Sequence, residues 1–245
     1  MRRGLVWHVL VAVEIGSAPG LAVAQLDLNA HATLATDYVF RGVSQTLSAE
    51  ALQLDIGLEH ESGWFTYIWA SNVDFAPAYT VDDGARLELN LAGGYSFEIS
   101  DRLAATLGAT RYLFPNTKAG IDYDYLEWLG SLELDAKYEL TMGYSNDVFG
   151  SGFDGSFVAL AMDHNLGQGL APDLVQNLAL RFELGHYDID AAYSQSYSYA
   201  ELALIGGSRA VEWRLSYFST SGEAQALFYE STVGERLVFA LTLSF

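Results

Sequence analysis

The sequence predicts an all-β protein, a transmembrane antiparallel up-and-down β-barrel of about 12 strands that follows an N-terminal signal peptide. Three observations carry this prediction. Polar and apolar residues alternate along most of the chain, which is typical of strands with two different faces. Short turns alternate with long loops, and the strand count is even, as in outer-membrane barrels. The first residues of the chain have the features of an export signal.

Residues 1–24 are predicted to form a secretory signal peptide, which leaves residues 25–245 as one barrel domain. Arg2 and Arg3 precede a mostly apolar run, and the small residues that end at Ala24 fit a cleavage site. An N-terminal membrane anchor is the alternative, but it requires roughly 18 or more apolar residues, and an acidic residue ends this run earlier. No later stretch is apolar over that length, so the mature chain is expected to have no spanning helix.

Composition excludes several classes of protein. The chain has 245 residues, with 12 Lys and Arg against 31 Asp and Glu, and a formal net charge of −19. Because phosphate contacts require a basic face, no nucleic-acid partner is expected. The lack of cysteine excludes a disulfide framework, a thiolate metal site and a cysteine nucleophile. The 15 Tyr, 13 Phe and 5 Trp are too many for a disordered acidic chain.

Each predicted strand sets apolar residues against polar ones with a period of two. Between residues 211 and 218, for example, the odd positions are Val, Trp, Leu and Tyr, and the even ones include Glu212 and Arg214. The segment 155–164 is the least regular, and Asn165–Asp173 is a long connection where a short one is expected. With boundaries good to about 2–4 residues, the predicted strands cover 28–41, 50–61, 64–74, 85–98, 102–113, 124–135, 136–147, 155–164, 174–187, 197–205, 209–219 and 233–245.

Alternation alone does not say which face of each strand points outward. A soluble barrel or sandwich with inward apolar faces is the alternative. The export signal and the asymmetry of the connections favour apolar residues that face lipid, in a closed barrel that pairs every backbone group. Aromatic residues near strand ends are predicted to form interfacial girdles. They are Tyr38, Phe40, Trp64, Trp69, Tyr95, Phe97, Tyr112, Phe114, Tyr197 and Tyr199.

Several segments of the chain carry a family resemblance. The segment Thr36–Thr46, with the sequence TDYVFRGVSQT, resembles the opening signature of the TorF family of porin-like proteins, a conserved outer-membrane barrel family of proteobacteria. Segments 60–65, 70–75, 122–127, 143–150 and 236–245 resemble later motifs of that family in the same order. The chain lacks the Lys that typically precedes the terminal aromatic residue of the family. The resemblance implies the outer membrane of a Gram-negative bacterium and a channel role, without a substrate.

If the apolar residues face lipid, the opposite face lines a lumen in which acids outnumber bases. Such a lumen predicts a narrow channel for the passive diffusion of small cationic or neutral solutes. The alternative is a non-conducting structural or surface-binding barrel, in which these side chains pair and close the bore. The charged residues predicted to line the lumen are Arg41, Asp55, Arg86, Glu88, Glu127, Lys137, Arg181, Glu183, Glu212 and Arg214.

No enzyme activity, metal site or cofactor is expected. The histidines of the mature chain lie outside any serine-nucleophile motif or metal-ligand spacing, and no phosphate-binding glycine loop is present. The expected partners are outer-membrane lipid, small solutes and the barrel-assembly machinery, which would recognise a terminal strand that ends at Phe245. The acidic loops are interpreted as surfaces that bridge lipopolysaccharide through divalent ions.

Overall fold

The computed structural model describes residues 26–76, 80–167 and 177–245. The predicted signal peptide and most of the connection Asn165–Asp173 lie outside the described residues. The strands are β1 (Leu26–Ala35), β2 (Val39–Phe40), β3 (Val43–Ser44), β4 (Ala51–His60), β5 (Trp64–Asn72), β6 (Leu87–Ser100), β7 (Leu103–Leu113), β8 (Tyr125–Leu134), β9 (Tyr138–Ser145), β10 (Gly155–Gly167), β11 (Asn177–Asp188), β12 (Tyr197–Gly207), β13 (Val211–Thr220) and β14 (Arg236–Ser244).

All strands except β2 and β3 join into one closed 12-strand antiparallel barrel. The first and last strands close it, with His31 opposite Ser244 and Ala35 opposite Ala240. Closure leaves no strand edge, which is what hydrocarbon requires of a spanning sheet. The predicted barrel and its strand number are therefore confirmed. The described parts of the loops contain four short helical segments: α1 (Asp190–Tyr193), α2 (Ala224–Leu227) and two 3-10 turns at Val148–Gly150 and Glu230–Thr232. None of the helices in the described ranges has the length and apolar character of a membrane span.

The two ends of the barrel differ in their connections. Short turns follow β4, β6, β8 and β12, and they lie at one end, here called the short-turn end. The longer connections after β1, β5, β7, β9, β11 and β13 lie at the opposite end, here called the loop end. This alternation of short and long connections confirms the predicted up-and-down topology.

The barrel has apolar side chains on its outer surface and charged side chains inside, which is the reverse of a soluble protein. Leu107 and Leu237 point outward and are 61% and 69% exposed, whereas Glu127 and Arg181 point inward and are each 1% exposed. Apolar residues with this exposure on every side of a closed barrel match a lipid-facing surface. The prediction that apolar residues face outward is confirmed, and the soluble alternative is not supported.

Strand β10 shows why its sequence lacked clean alternation. Ala159 and Ala161 point inward and are buried, whereas Leu160 and Met162 point outward and are exposed. The alternation is one of side-chain size rather than polarity, because small inward residues leave room for the contents of the lumen.

A lipid-facing substitution tests this orientation. Leu107→Arg on β7 should lower the free energy of unfolding by about 2–4 kcal/mol, because an arginine would enter the hydrocarbon. Val81→Arg is the matched control, since Val81 is an apolar residue in the loop after β5 and is 89% exposed. Its effect should stay within about 0.5 kcal/mol. Urea unfolding in lipid vesicles measures both, and equal effects of the two variants would contradict the orientation.

The prediction that the first strand continues to residue 41 is wrong. Strand β1 ends at Ala35, and residues 36–49, here called the lumen hairpin, turn into the barrel. Strands β2 and β3 pair within it, and both residues at its tip are left-handed, Arg41 at φ 48° and Gly42 at φ 82°. Such a pair is typical of a two-residue hairpin turn. A Cβ atom at Gly42 would lie 2.7 Å from Cβ of Tyr199 on β12, so the tip fits tightly against the wall.

The predicted aromatic girdle is only partly present. Trp64, Tyr95 and Phe97 are exposed on the outside of the barrel, as predicted. Six of the other residues are buried, because aromatic side chains in the loop-end half of the barrel pack inward around the lumen hairpin. These six are Tyr38, Trp69, Tyr112, Phe114, Tyr197 and Tyr199. Phe40 is partly buried and packs edge-on against Tyr112, so its assignment to the girdle was also wrong.

Candidate functional site: the lumen and its hairpin

The lumen hairpin carries Arg41 across the barrel to the opposite wall. Its guanidinium donates a hydrogen bond of 2.6 Å from Nη2 to Oε2 of Glu127 on β8. The same group lies 3.6 Å from the ring centre of Phe157 and 4.4 Å from that of Tyr187. A buried guanidinium that combines a carboxylate with aromatic faces is a strong contact. These four residues, here called the Arg41 clamp, fix the tip of the hairpin.

Two further residues hold the base of the hairpin. The Tyr38 hydroxyl donates to Oε1 of Glu88 over 3.3 Å, and the Tyr38 ring packs edge-on against Trp69 with centroids 5.3 Å apart. Asp37 accepts a hydrogen bond of 2.8 Å from Nη1 of Arg236 on β14. The hairpin therefore reaches β5, β6, β8 and β14 through different side chains.

Two cavities lie on either side of the hairpin. The cavity toward the short-turn end, here called the lumen cavity, has a volume of about 350 Å³ and is lined near that end by Asn29 and Thr242. The cavity toward the loop end has a volume of about 460 Å³ and is lined by loop residues such as Phe75 and Tyr123. Phe40 lines both cavities, so the hairpin forms the partition between them.

The lumen cavity is acidic. Its lining carries six carboxylic acids, Asp37, Asp55, Glu139, Glu183, Glu201 and Glu212, and three arginines, Arg41, Arg181 and Arg214. Each arginine forms ion pairs with lumen carboxylates. Arg214 bonds Glu201 at 2.8 Å. Arg181 lies among Glu139 at 2.9 Å, Asp163 at 2.7 Å and Glu183 at 3.3 Å. The surplus of carboxylates gives the cavity a negative field.

The predicted lumen residues separate into three groups. Arg41, Asp55, Arg181, Glu183, Glu212 and Arg214 line the lumen cavity. Glu88 and Glu127 are buried where the hairpin meets the wall. Arg86 and Lys137 lie beyond the strand ends instead of in the lumen. Arg86 is half-exposed and pairs with Asp82 at 2.8 Å, and Lys137 lies in the turn between β8 and β9 with Nζ 5.0 Å from the Tyr138 ring centre.

Sequence reasoning missed several lumen residues. His31 and Asn90 are buried and line the lumen cavity, and Arg236 anchors the hairpin. The inward register of β1 contains His31 together with Thr33, and that of β6 contains Asn90 together with Glu88. Including uncharged polar residues at inward positions would have identified His31 and Asn90. No sequence pattern near Arg236 predicts its contact with the hairpin.

The loops at the loop end are joined by ion pairs around Asp82. Lys118 Nζ lies 2.9 Å from Oδ2 of Asp82, and the backbone N–H of Gly84 and the side chain of Arg86 reach Oδ1 at 3.0 and 2.8 Å. The hydrogen bonds from Lys118 and Gly84 and the charge of Arg86 lower the pKa of Asp82 to about 2. Among the described residues, no group of three or more His, Cys, Asp or Glu is placed to hold a metal ion.

The low pKa of Asp82 predicts a pH window for this contact. Because the folded pKa lies below the ordinary value of 3.8, the stabilising contribution of Asp82 is present above 3.8 and is lost as pH falls through about 2. Carboxyl NMR should show a titration midpoint of about 2, and Lys118→Ala should move it toward 3.8. An unchanged midpoint in this variant would mean that Lys118 does not set the pKa.

Comparison with known proteins places the chain in a family. The model of the Gcw_chp family, described as bacterial proteins of unknown function, matches residues 21–245. No curated protein matches the chain. The barrel is similar to the NanC porin, with a TM-score of 0.53 at 10% identity over 89% of this chain and 99% of NanC.

It is also similar to the KdgM porin, with a TM-score of 0.52 at 8% identity over 89% of this chain and 98% of KdgM. A structure of KdgM in complex with disordered oligogalacturonate gives a TM-score of 0.50. At such identities the likeness shows the fold, and the narrower TorF resemblance stays a prediction. The chain therefore belongs to the Gcw_chp family and has the barrel fold of the NanC and KdgM porins.

Proposed function

We propose that this protein is a channel for the passive diffusion of small solutes across the outer membrane of a Gram-negative bacterium. The observation that carries the proposal is that a lumen cavity with charged residues in its lining and a loop-end cavity meet at the lumen hairpin. A single displaceable element thus stands between two spaces inside a lipid-facing barrel. The predicted signal peptide at residues 1–24 supplies the route of export.

The hairpin sets the narrowest point of the proposed path. Its tip is held by the Arg41 clamp, whose ion pair and cation–π contacts are polar and can exchange with water or solute. With the hairpin seated, the barrel is constricted. Solutes pass when the tip leaves Glu127 and the two cavities join. The segment that resembles the TorF signature is this hairpin, and on that basis we assign the chain to the TorF group.

The alternative function is a non-conducting barrel that serves a structural or surface-binding role. Packing at the loop end favours it, since Val148, Tyr187, Ile189 and Tyr197 form a buried cluster next to the hairpin. A barrel whose loop end is filled in this way would leave the hairpin permanently seated. The two functions differ in whether purified protein conducts ions.

Conductance in planar bilayers tests the channel. We expect single-channel steps with a preference for cations, because carboxylates outnumber arginines in the lumen cavity. Glu212→Lys places a cation in that lining and should move the reversal potential toward anions. Asp101→Lys is the matched control, because Asp101 is exposed in the turn between β6 and β7. A bilayer that stays silent with correctly folded protein would favour the non-conducting barrel.

The proposal extends to assembly and to the surface of the membrane. Phe245 follows β14 and is exposed, which supports recognition of the terminal strand by the barrel-assembly machinery. Acidic residues at the loop end, such as Asp122 and Asp190, are placed where divalent ions could bridge them to lipopolysaccharide.

A further inference from the structure

Four polar side chains form a continuous row on the wall of the lumen cavity. His31 on β1 lies opposite Asp55 on β4, Asp55 lies opposite Trp69 on β5, and Trp69 lies opposite Asn90 on β6. Since neighbouring strands are about 4.8 Å apart, the row crosses four adjacent strands of the wall, perpendicular to them. All four side chains line the lumen cavity and are more than nine-tenths buried.

Each member of the row has one buried polar atom without a hydrogen-bond partner among the described residues. These atoms are Nε2 of His31, Oδ2 of Asp55, Nε1 of Trp69 and Oδ1 of Asn90, and none has a hydrogen-bond partner within the part of the chain that the structure describes. Buried polar groups without partners are rare in proteins, and a run of four on adjacent strands is not explained by packing. Because all four side chains line the lumen cavity, a ligand in that cavity is the group that would complete these bonds.

The remaining bonds of the row fix which atoms donate and which accept. His31 Nδ1 lies 2.8 Å from Oδ1 of Asp55, so a neutral imidazole donates from Nδ1 and leaves Nε2 as an acceptor. Asn90 Nδ2 donates to Glu88 over 2.8 Å, which leaves its carbonyl oxygen as an acceptor. The order along the wall is then acceptor, charged acceptor, donor and acceptor.

We propose that this row binds a small organic cation that carries both an ammonium group and hydroxyl groups, such as an amino sugar. The ammonium donates to Asp55 Oδ2 and His31 Nε2. A ligand hydroxyl accepts a hydrogen bond from Trp69 Nε1 and donates one to Asn90 Oδ1. A cavity of about 350 Å³ holds a ligand of this size. The site goes beyond the channel proposal, since binding to it does not depend on conduction.

The charge of the cavity favours a cationic ligand over a neutral one. Asp55 is hydrogen-bonded to the neutral imidazole of His31, whereas the lumen arginines form ion pairs with Glu127, Glu139 and Glu201. The surplus negative charge of the cavity repels an acidic sugar and attracts an ammonium. Glucosamine and glucose form a matched pair of probes, because they differ by an ammonium in place of one hydroxyl.

Calorimetric titration of the solubilised barrel tests the site, with glucosamine used at a pH where its amine is protonated. We expect saturable binding of glucosamine, about tenfold or more tighter than that of glucose, because the charge-assisted bond to Asp55 is lost with glucose. Asp55→Asn should weaken glucosamine binding by about tenfold and Trp69→Phe by about threefold. Asp101→Asn, the same change of side chain at an exposed turn outside the cavity, should leave affinity unchanged.

Two outcomes would overturn the proposal. Equal affinity for the two sugars that Asp55→Asn does not alter would show that the row does not recognise an ammonium. No saturable binding of either sugar to a barrel with normal β-sheet circular dichroism would show that water alone satisfies the row. Trp69→Phe keeps the ring and removes only the N–H group, so it gives an independent answer if Asp55→Asn fails to fold.

Discussion

Arg41→Ala should raise the mean conductance of the barrel severalfold, because it frees the tip of the lumen hairpin. The guanidinium contributes a charge-assisted hydrogen bond to Glu127 and aromatic contacts with Phe157 and Tyr187. Together these are worth about 3 kcal/mol, which corresponds to about a 100-fold change in the ratio of displaced to seated hairpin. Single-channel recording would show longer or larger open steps, and liposomes would become more permeable to neutral sugars.

The effect of Arg41→Ala must be separated from a general loss of stability. Removing Arg41 leaves Glu127 buried without its cation, so Arg41→Ala combined with Glu127→Gln keeps the hairpin free and removes the unpaired charge. Arg111→Ala is the matched control, because Arg111 is half-exposed on the outer surface of the same end of the barrel. If an intact Arg41→Ala barrel conducts no more than the Arg111→Ala control, the hairpin is not the constriction.

The strands could be predicted from the sequence because lipid imposes one chemical rule on every outward position. Strand β7 was predicted at 102–113 and is found at Leu103–Leu113, and β8 was predicted at 124–135 and is found at Tyr125–Leu134. Within a strand, the phase of the alternation also sorts charged residues correctly, so Asp55, Glu127 and Arg181 all point inward. Beyond a strand end the alternation no longer decides which way a side chain points. Arg86 lies just before β6, which is why it was wrongly predicted to line the lumen.

The lumen hairpin could not be predicted in the same way. Its residues Thr36, Tyr38 and Phe40 continue the alternation of β1, because a hairpin is extended too. The chain leaves the wall through contacts that local pattern does not encode. One of these is the bond between Asp37 and Arg236, which are 199 positions apart.

By contrast, the inward direction of the aromatic residues could have been predicted, because the register of their strands determines it. Trp64 and Trp69 are five positions apart on one strand, so a period of two places them on opposite faces. Trp64 is exposed and Trp69 is buried. Tyr112 directly follows the outward Arg111 and must therefore point inward. Aromatic residues near strand ends suggested a girdle by their composition, but the register decides which of them face lipid.

Arg181→Met should destabilise the barrel by about 3–5 kcal/mol, because it removes the cation shared by three carboxylates. The Arg181 side chain is buried and lies within 3.3 Å of Glu139, Asp163 and Glu183. Methionine fills a similar volume, so the loss comes from uncompensated negative charge rather than from a cavity. Adding Glu139→Gln to Arg181→Met removes one of the stranded charges and should recover part of the loss. Urea unfolding in lipid vesicles, followed by tryptophan fluorescence, measures each step.

Arg102→Met is the matched control, because Arg102 is exposed in a turn and pairs with Asp135 at the surface. An exposed pair of this kind contributes about 0–1 kcal/mol. If Arg181→Met lowers the free energy of unfolding by no more than Arg102→Met does, bulk water solvates the lumen carboxylates fully. The barrel would then contain a wide aqueous bore, and the hairpin, rather than the charged wall, would be the only element left to select among solutes.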